Sequence, residues 1–408
     1  GQYPMNWIES GVDWLGNAIS NVMPDGVLKD VLVDGIIGGV GGVIVFLPNI
    51  LILFFIISLM EDTGYMARTA FIMDRVMHLF GLHGKSFIPM IMGFGCNVPA
   101  MMATRMLENK RDRLLTMMII PFMSCSARLP VYILIAGAVF PGQAGNIIFL
   151  MYFIGILFSI IMAVIFKSTL FKKSEAPFVM ELPPYRAPGL RMVLRHMWFK
   201  AVLYLKKMGG IILIASVIVW ALGYFPREVE YSKDYESELA IEHSKLESLT
   251  SLEAAESQTT DSLRLLSVEQ NITTLELLMQ NEHQEASYIG RLGKAVEPVI
   301  RPLGFDWKMG VSLIAGFAAK EIVVSTMGVL YQVNDSEENT VSLQQKLREQ
   351  VHQDGKRKGQ PVYTKLSGFS FLIFVLLYLP CVSVIAVVGR ESGSWKWSMF
   401  VVFYTTTL

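Results

Sequence analysis

The sequence predicts an all-helical, polytopic membrane protein, and three observations predict it. Hydrophobic residues make up 52% of the 408 and charged residues only 17%, too apolar a balance for a water-soluble domain of this length. The apolar residues gather in runs of about 20, the length that spans a bilayer. Several runs carry glycine, proline and polar residues at their centres, where a lipid-facing helix tolerates none of them. Counting runs gives about eight transmembrane helices, arranged as two related regions with broken helices and interrupted by an acidic helical insert. With a net charge of zero, nothing points to a nucleic acid.

Residues 1–33 set Trp7, Ile8, Trp14 and Leu15 at helical spacing beside Asp13, Asp25, Lys29 and Asp30. They read as an interfacial lead-in helix with its indoles at headgroup level. The first region is 34–140. Its opening run, 35–60, is interrupted at Pro48 and Asn49, and EDTGYMARTAFIMDR after it has the amphipathic pattern of a helix lying along the membrane surface. Glu61 and Asp62 end the run and are placed on the outer side, as an attractor for cations or as a solvated helix end.

The segment 86–106 contains IMGFGCNVPA. Pro99 lacks an N–H, Gly93 and Gly95 weaken a helix, and the freed carbonyls need partners that lipid cannot supply. A break is expected there, with Cys96 and Asn97 beside it. The segment reads as a span running inward to a basic loop, Arg105 to Arg113, on the cytoplasmic side. Asn109 to Asp112 spells the guanine-reading NKxD pattern, but no phosphate-binding GxxxxGK[ST] loop accompanies it, so it is a basic loop only.

Spans 114–140 and 146–166 form a hairpin across PGQAG, and residues 141–207 connect the two regions. Seven Lys/Arg against two acids in 167–200 make that loop cytoplasmic. The second region, 208–388, opens with a span at 208–225. The insert 228–285 follows, with fourteen acids and three Lys/Arg, and is placed outside. Leu265, Val268, Ile272, Leu275 and Met279 repeat at helical spacing, predicting a helical hairpin that turns near 258–261. The run 309–333 crosses inward with Lys320 and Glu321, which either neutralise each other or leave Glu321 as a gate. A polar loop, 334–363, is placed inside, and 366–388 crosses out. Residues 389–408 read as the start of a truncated last helix. This count leaves both ends cytoplasmic.

GFGCN at 93–97 resembles GFAAKE at 316–321, and PFMSC at 121–125 resembles YLPC at 378–381. Both broken runs are expected to point inward, so the two copies read as parallel, with a site where they meet. Helix breaks are expected at Pro48, Gly93, Gly95, Pro99, Pro121, Gly316 and Pro380. Cys96, Cys125 and Cys381 fall beside these breaks, and thiolates are soft ligands suited to ferrous iron. Small buried packing residues are the other reading of the three. Their spacing suggests neither a disulfide framework nor a zinc knuckle. Asn97, Ser124 and Ser126 can add oxygens. None of the six histidines lies in a membrane run, which argues against a Cys–His catalytic pair, and no enzyme activity is expected.

DGIIGGVGGVIVFLP (34–48), EDTGYMARTAFIMDR (61–75), GFGCNVPAMMATR (93–105), RDRLLTMMIIPFMSCSARLPVY (111–132), ELPPYRAP (181–188), GFAAKEIVV (316–324) and LLYLPCV (376–382) together resemble the membrane part of the FeoB family of bacterial ferrous iron transporters. The resemblance implies Fe(II) uptake across the bacterial inner membrane through two gate regions, a type shared with nucleoside carriers. The family's gate cysteines fall on Cys96, Cys125 and Cys381. As partners it implies an N-terminal GTPase domain, which would bring GTP and Mg and is not among these residues, and a small cytoplasmic accessory protein. A homo-oligomer is compatible with it, and no tightly bound cofactor is implied. The alternative is a nucleoside-type solute carrier, which needs an aromatic-lined pocket instead of converging sulfurs.

Overall fold

The computed structural model describes residues 2–24, 26–37, 41, 44, 47–170, 188–227, 229, 231–253, 259–331, 339–350 and 361–408. Every element among them is a helix, as the composition requires of a chain whose backbone must satisfy itself in lipid. Helix α1 (Gln2–Val22) doubles back on the segment after it. Gly16 sits against Val33 and Gly41 against Val12, an antiparallel packing of small and β-branched residues. The lead-in is therefore a packed helix, although Trp7 and Trp14 stay exposed.

A π-helical stretch, Val31–Ile37, leads toward α2 (Leu47–Asp62). At Gly64, with φ of 72°, the chain turns by 79° into α3 (Tyr65–Leu79). Only a residue without Cβ takes that conformation cheaply. The residues YMARTAFIMDR of that stretch are thus helical, at an angle to α2.

Next come α4 (Phe87–Gly95) and α5 (Asn97–Ala103). Lys85 Nζ lies 3.0 Å from Glu108 Oε1, so the two feet of this pair are at the same end of the molecule. The segment is a re-entrant hairpin with Cys96 at its tip. A broken crossing follows, α6 (Lys110–Ile119) and α7 (Leu129–Val139), and α8 (Ala144–Thr169) returns. The turn between them places Gly142 at φ 81°. Helix α9 (Leu190–Tyr224) then runs antiparallel to residues 30–62. His196 faces Asp62 at 3.7 Å, Lys200 faces Glu61 at 2.6 Å, and Tyr224 Oη donates to Asp30 at 2.6 Å.

The insert is a helical hairpin, α10 (Tyr235–Glu253) packed on α11 (Thr259–Ala286). Val268 and Ile272 are buried and Leu275 and Met279 half-buried, as the spacing predicts. The side chain of Leu265 and the residues between the helices lie outside the described residues. Helix α12 (Tyr288–Ile300) leads to α13 (Trp307–Ala315) and α14 (Ile322–Leu330), a second re-entrant hairpin. Its feet are joined where Lys308 Nζ donates to Leu330 O at 2.9 Å. Helix α15 (Asn339–Glu349) precedes a second broken crossing, α16 (Lys365–Leu377) and α17 (Val382–Ser392), and α18 (Trp395–Thr407) packs on α17.

These contacts fix how the two halves are related. Arg105, beside the feet of the first hairpin, reaches Glu391 at the end of α17 with both Nε and Nη2 at 2.6 Å. Arg348 of α15 donates to Gly137 O at 2.6 Å and Ala138 O at 2.8 Å, at the far end of the first crossing. Tyr331 and Tyr363 hydroxyls, 3.0 Å apart, put the feet of the second hairpin at that far end too. The hairpin-plus-crossing units are thus inverted relative to each other. The parallel reading fails because a hairpin and a span of equal hydropathy look alike in sequence, and only their feet tell them apart.

Four placements change with it. The runs 86–106 and 309–333 do not cross, so the count of eight spans is not obtained. Among the described residues three helices, Lys110–Val139, Ala144–Thr169 and Lys365–Ser392, are long and apolar enough to cross, with the bent α2–α3 pair as a fourth candidate. Glu61 and Asp62 pair with Lys200 and His196 at the end bearing Arg105, whereas the count of spans sets them at opposite ends. Helix α15, within 334–363, shares the far end with the insert. Helix α18 starts from the basic end and leads away from it, with Tyr404 Oη donating to Met118 O, whereas the count of spans starts it from the opposite end.

Candidate functional site

Four interruptions meet in the interior, two per half. In the first hairpin Cys96 is extended, φ −151° and ψ 130°, between α4 and α5. Gly93 and Gly95 are helical residues of α4, not the break. Their missing Cβ atoms allow close approach, since a Cβ on Gly93 would lie 2.9 Å from Met123 Cβ and one on Gly95 2.7 Å from Leu53 Cδ1. Pro99 lies in the first turn of α5, where a missing N–H costs no helical bond, and Pro48 is a helical residue of α2. Asn97 is 4% exposed and its Oδ1 has no hydrogen-bond partner.

In the first crossing, Pro121 belongs to a tight turn, Ile120–Phe122, that ends the helical run. Met123 and Cys125 are then extended before the turn Ser126–Arg128. Ser126 Oγ donates to Gly95 O at 2.9 Å, which ties this interruption to the hairpin tip. Ser124 is buried and its Oγ shares a 2.8 Å hydrogen bond with Tyr132 Oη. Arg128, 1% exposed, donates from Nη1 to Pro121 O at 3.1 Å and Met123 O at 3.4 Å. It caps the carbonyl end of the first half-helix, where a cation is favoured.

The second half repeats the plan. Gly316 ends α13, and a Cβ there would lie 2.3 Å from Val323 Cγ2. Lys320, 3% exposed, donates from Nζ to Leu379 O at 2.9 Å and stands 3.2 Å from the centre of the Tyr378 ring. Val382 N donates to Phe317 O at 2.9 Å. Tip and crossing are tied together here as they are in the first half. Pro380 and Cys381 fall between α16 and α17, with Cys381 at φ −59° and ψ 155°. Lys320 directs its ammonium to a backbone carbonyl, and among the described residues no ion pair joins it to Glu321. The two side chains nevertheless lie within electrostatic reach of each other.

Helices α5 and α17, and α7 with α14 and α16, pack across the two halves. Cys96, Cys125, Cys381 and Glu321 lie within electrostatic reach of one another. All three cysteines are free and half-buried as residues, and Ser126 beside them is exposed. Among the described residues no three His, Cys, Asp or Glu side chains are gathered closely enough to cage an ion. Cys96, Cys125 and Cys381 do not form a closed ligand set. The side chain of Asn49 lies outside the described residues.

Sequence reasoning missed Arg128, Tyr132 and Tyr378. The available signal was a lone charge inside the apolar run 114–140. Phe94, Tyr152 and Tyr132 form an aromatic group beside the first break, with ring centres 6.0 and 6.4 Å apart.

A family model described as "Gate: Nucleoside recognition" matches residues 43–139 and 205–395, and one described as "Ferrous iron transport protein B C terminus" matches 148–200. Over its whole length the chain is 53% identical to the Fe(2+) transport protein A/Fe(2+) transporter FeoB fusion protein of Porphyromonas gingivalis, covering 46% of it. It is 42% identical to the Fe(2+) transporter FeoB of Campylobacter jejuni, covering 58%, and 40% identical to that of Leptospira biflexa, covering 53%. The chain thus spans about half the length of these curated relatives. No solved structure matches it.

Proposed function

We propose that this chain, which belongs to the Gate family as a FeoB-type membrane domain, passes ferrous iron across the bacterial inner membrane between its two inverted halves. The observation that carries the reading is that three of the four interruptions place a cysteine beside unwound backbone. Fe(II) is a borderline ion for which thiolates compete well with water. As it sheds water, Cys96, Cys125 and Cys381 offer sulfurs, while Asn97, Ser124, Ser126 and Glu321 offer oxygens nearby. The end bearing Arg105, Lys110, Arg113 and Lys200 is cytoplasmic by its Lys/Arg. An N-terminal GTPase domain outside these residues controls opening from that end, and a small accessory protein acts there too.

Uptake of radioactive Fe(II) into cells lacking other importers tests this. Cys96→Ser, Cys125→Ser and Cys381→Ser are each expected to lower uptake by about tenfold or more at equal expression, as loss of a soft ligand does. Undiminished uptake in all three removes the sulfur path. The aromatic group Phe94, Tyr152 and Tyr132 favours a second reading, a nucleoside-type carrier. Labelled uridine entering the same cells, with no change in Fe(II) uptake, would select it.

A further inference from the structure

Where Glu391 meets Arg105 and Arg113, at the basic end, lies a cavity of about 680 Å3. Arg105, Lys110, Arg113 and Arg390 line it, against two carboxylates, Glu108 and Glu391. Both carboxylates are engaged. Glu391, with its side chain 2% exposed, accepts from Arg105 and from Arg113 Nη2 at 2.7 Å, and Glu108 pairs with Lys85 at 3.0 Å. A cation entering would meet an excess of positive charge, so the chemistry of this cavity is the opposite of that at the cysteines.

Two further features point to an anion. Helix α6, ten residues long, presents its N-terminus here with Lys110 as first residue. Its leading N–H groups and dipole favour negative charge. Arg113 lines the cavity with its side chain 26% exposed and its Nη2 on Glu391, presenting there a guanidinium whose fork matches phosphate oxygens.

We propose that this cavity binds a phosphate-bearing anion, held by Lys110, Arg113 and Arg390 beside the N-terminus of α6. The phosphate can belong to a lipid headgroup or to a water-soluble molecule. Neither source depends on the iron path, since the cavity lies at the end of α17 and its test contains no metal.

The whole chain, reconstituted in nanodiscs of neutral phosphatidylcholine, is titrated with pyrophosphate by calorimetry and by thermal unfolding. The unaltered chain is expected to bind and to melt at a higher temperature with the anion present. The double variant Lys110→Ala/Arg390→Ala leaves the Arg105–Glu391–Arg113 join in place. It is expected to bind at least about tenfold more weakly and to lose the anion-dependent rise in melting temperature, measured against its own melting without anion. Phosphatidylglycerol in the discs then assigns the source. Competition with pyrophosphate identifies a lipid headgroup, and undisturbed binding identifies a soluble phosphate. Equal affinity in both proteins, or no binding by the unaltered chain in neutral discs, overturns the site.

Discussion

Arg128 and Lys320 stand beside three sulfurs proposed to receive a cation, and their hydrogen bonds explain how both are tolerated. Each ends a half-helix, Arg128 at Pro121 O and Met123 O and Lys320 at Leu379 O, so each faces backbone carbonyls that lipid would leave bare. Arg128→Met is expected to cost about 1–3 kcal/mol, the usual penalty for stranding buried polar groups. Thermal unfolding in detergent reads it, and an unchanged melting temperature would show the carbonyls to be satisfied otherwise. The cysteines were legible in the sequence because thiols beside Gly and Pro in an apolar run are conspicuous. Arg128 was not, because its partners exist only once Pro121 has ended the helix and turned two carbonyls inward.

The helices themselves were legible from hydropathy and spacing, including the α7–α8 turn and the insert hairpin. What hydropathy could not separate was a segment that crosses from one that returns, since both are equally apolar. The base of the insert offers a test on a single element. Glu282 of α11 accepts from Ser232 N at 2.9 Å and Tyr235 Oη at 2.7 Å. Bonds from the Ser232 hydroxyl and amide hold its carboxyl below the ordinary carboxylate value of 4.5. A group whose pKa is lowered by folding stabilises the fold above its unfolded pKa and loses that effect as pH falls through the folded one. The protection factor of the Ser232 amide, its exchange rate measured against the intrinsic rate at each pH, is therefore expected to be high at pH 6 and to fall as pH drops below about 4.5. Glu282→Gln should show lower protection at pH 6 and no such fall. A pH-dependent step that survives in Glu282→Gln would place the titrating group elsewhere.

Inversion of the two halves makes a claim about sides that can be checked across a membrane. In a background with the native cysteines replaced by serine, Glu238→Cys in the insert and Gln345→Cys in α15 are expected to react with an impermeant thiol reagent from one side. Glu108→Cys should react from the other. Labelling of positions 345 and 108 from the same side would restore the parallel arrangement. The repeat itself was visible in GFGCN and GFAAKE, but its direction was not, because direction resides in pairs such as Lys85–Glu108 and Arg105–Glu391 that are distant in sequence or carried by flanking loops. Each hairpin has both feet clasped at one surface, Lys85 to Glu108 and Lys308 to Leu330. A tongue anchored in this way can tilt about its root without dragging any hydrated loop through hydrocarbon. Resistance to its swing comes from side-chain packing and the few bonds at its tip, Ser126 Oγ to Gly95 O in one hairpin and Val382 N to Phe317 O in the other.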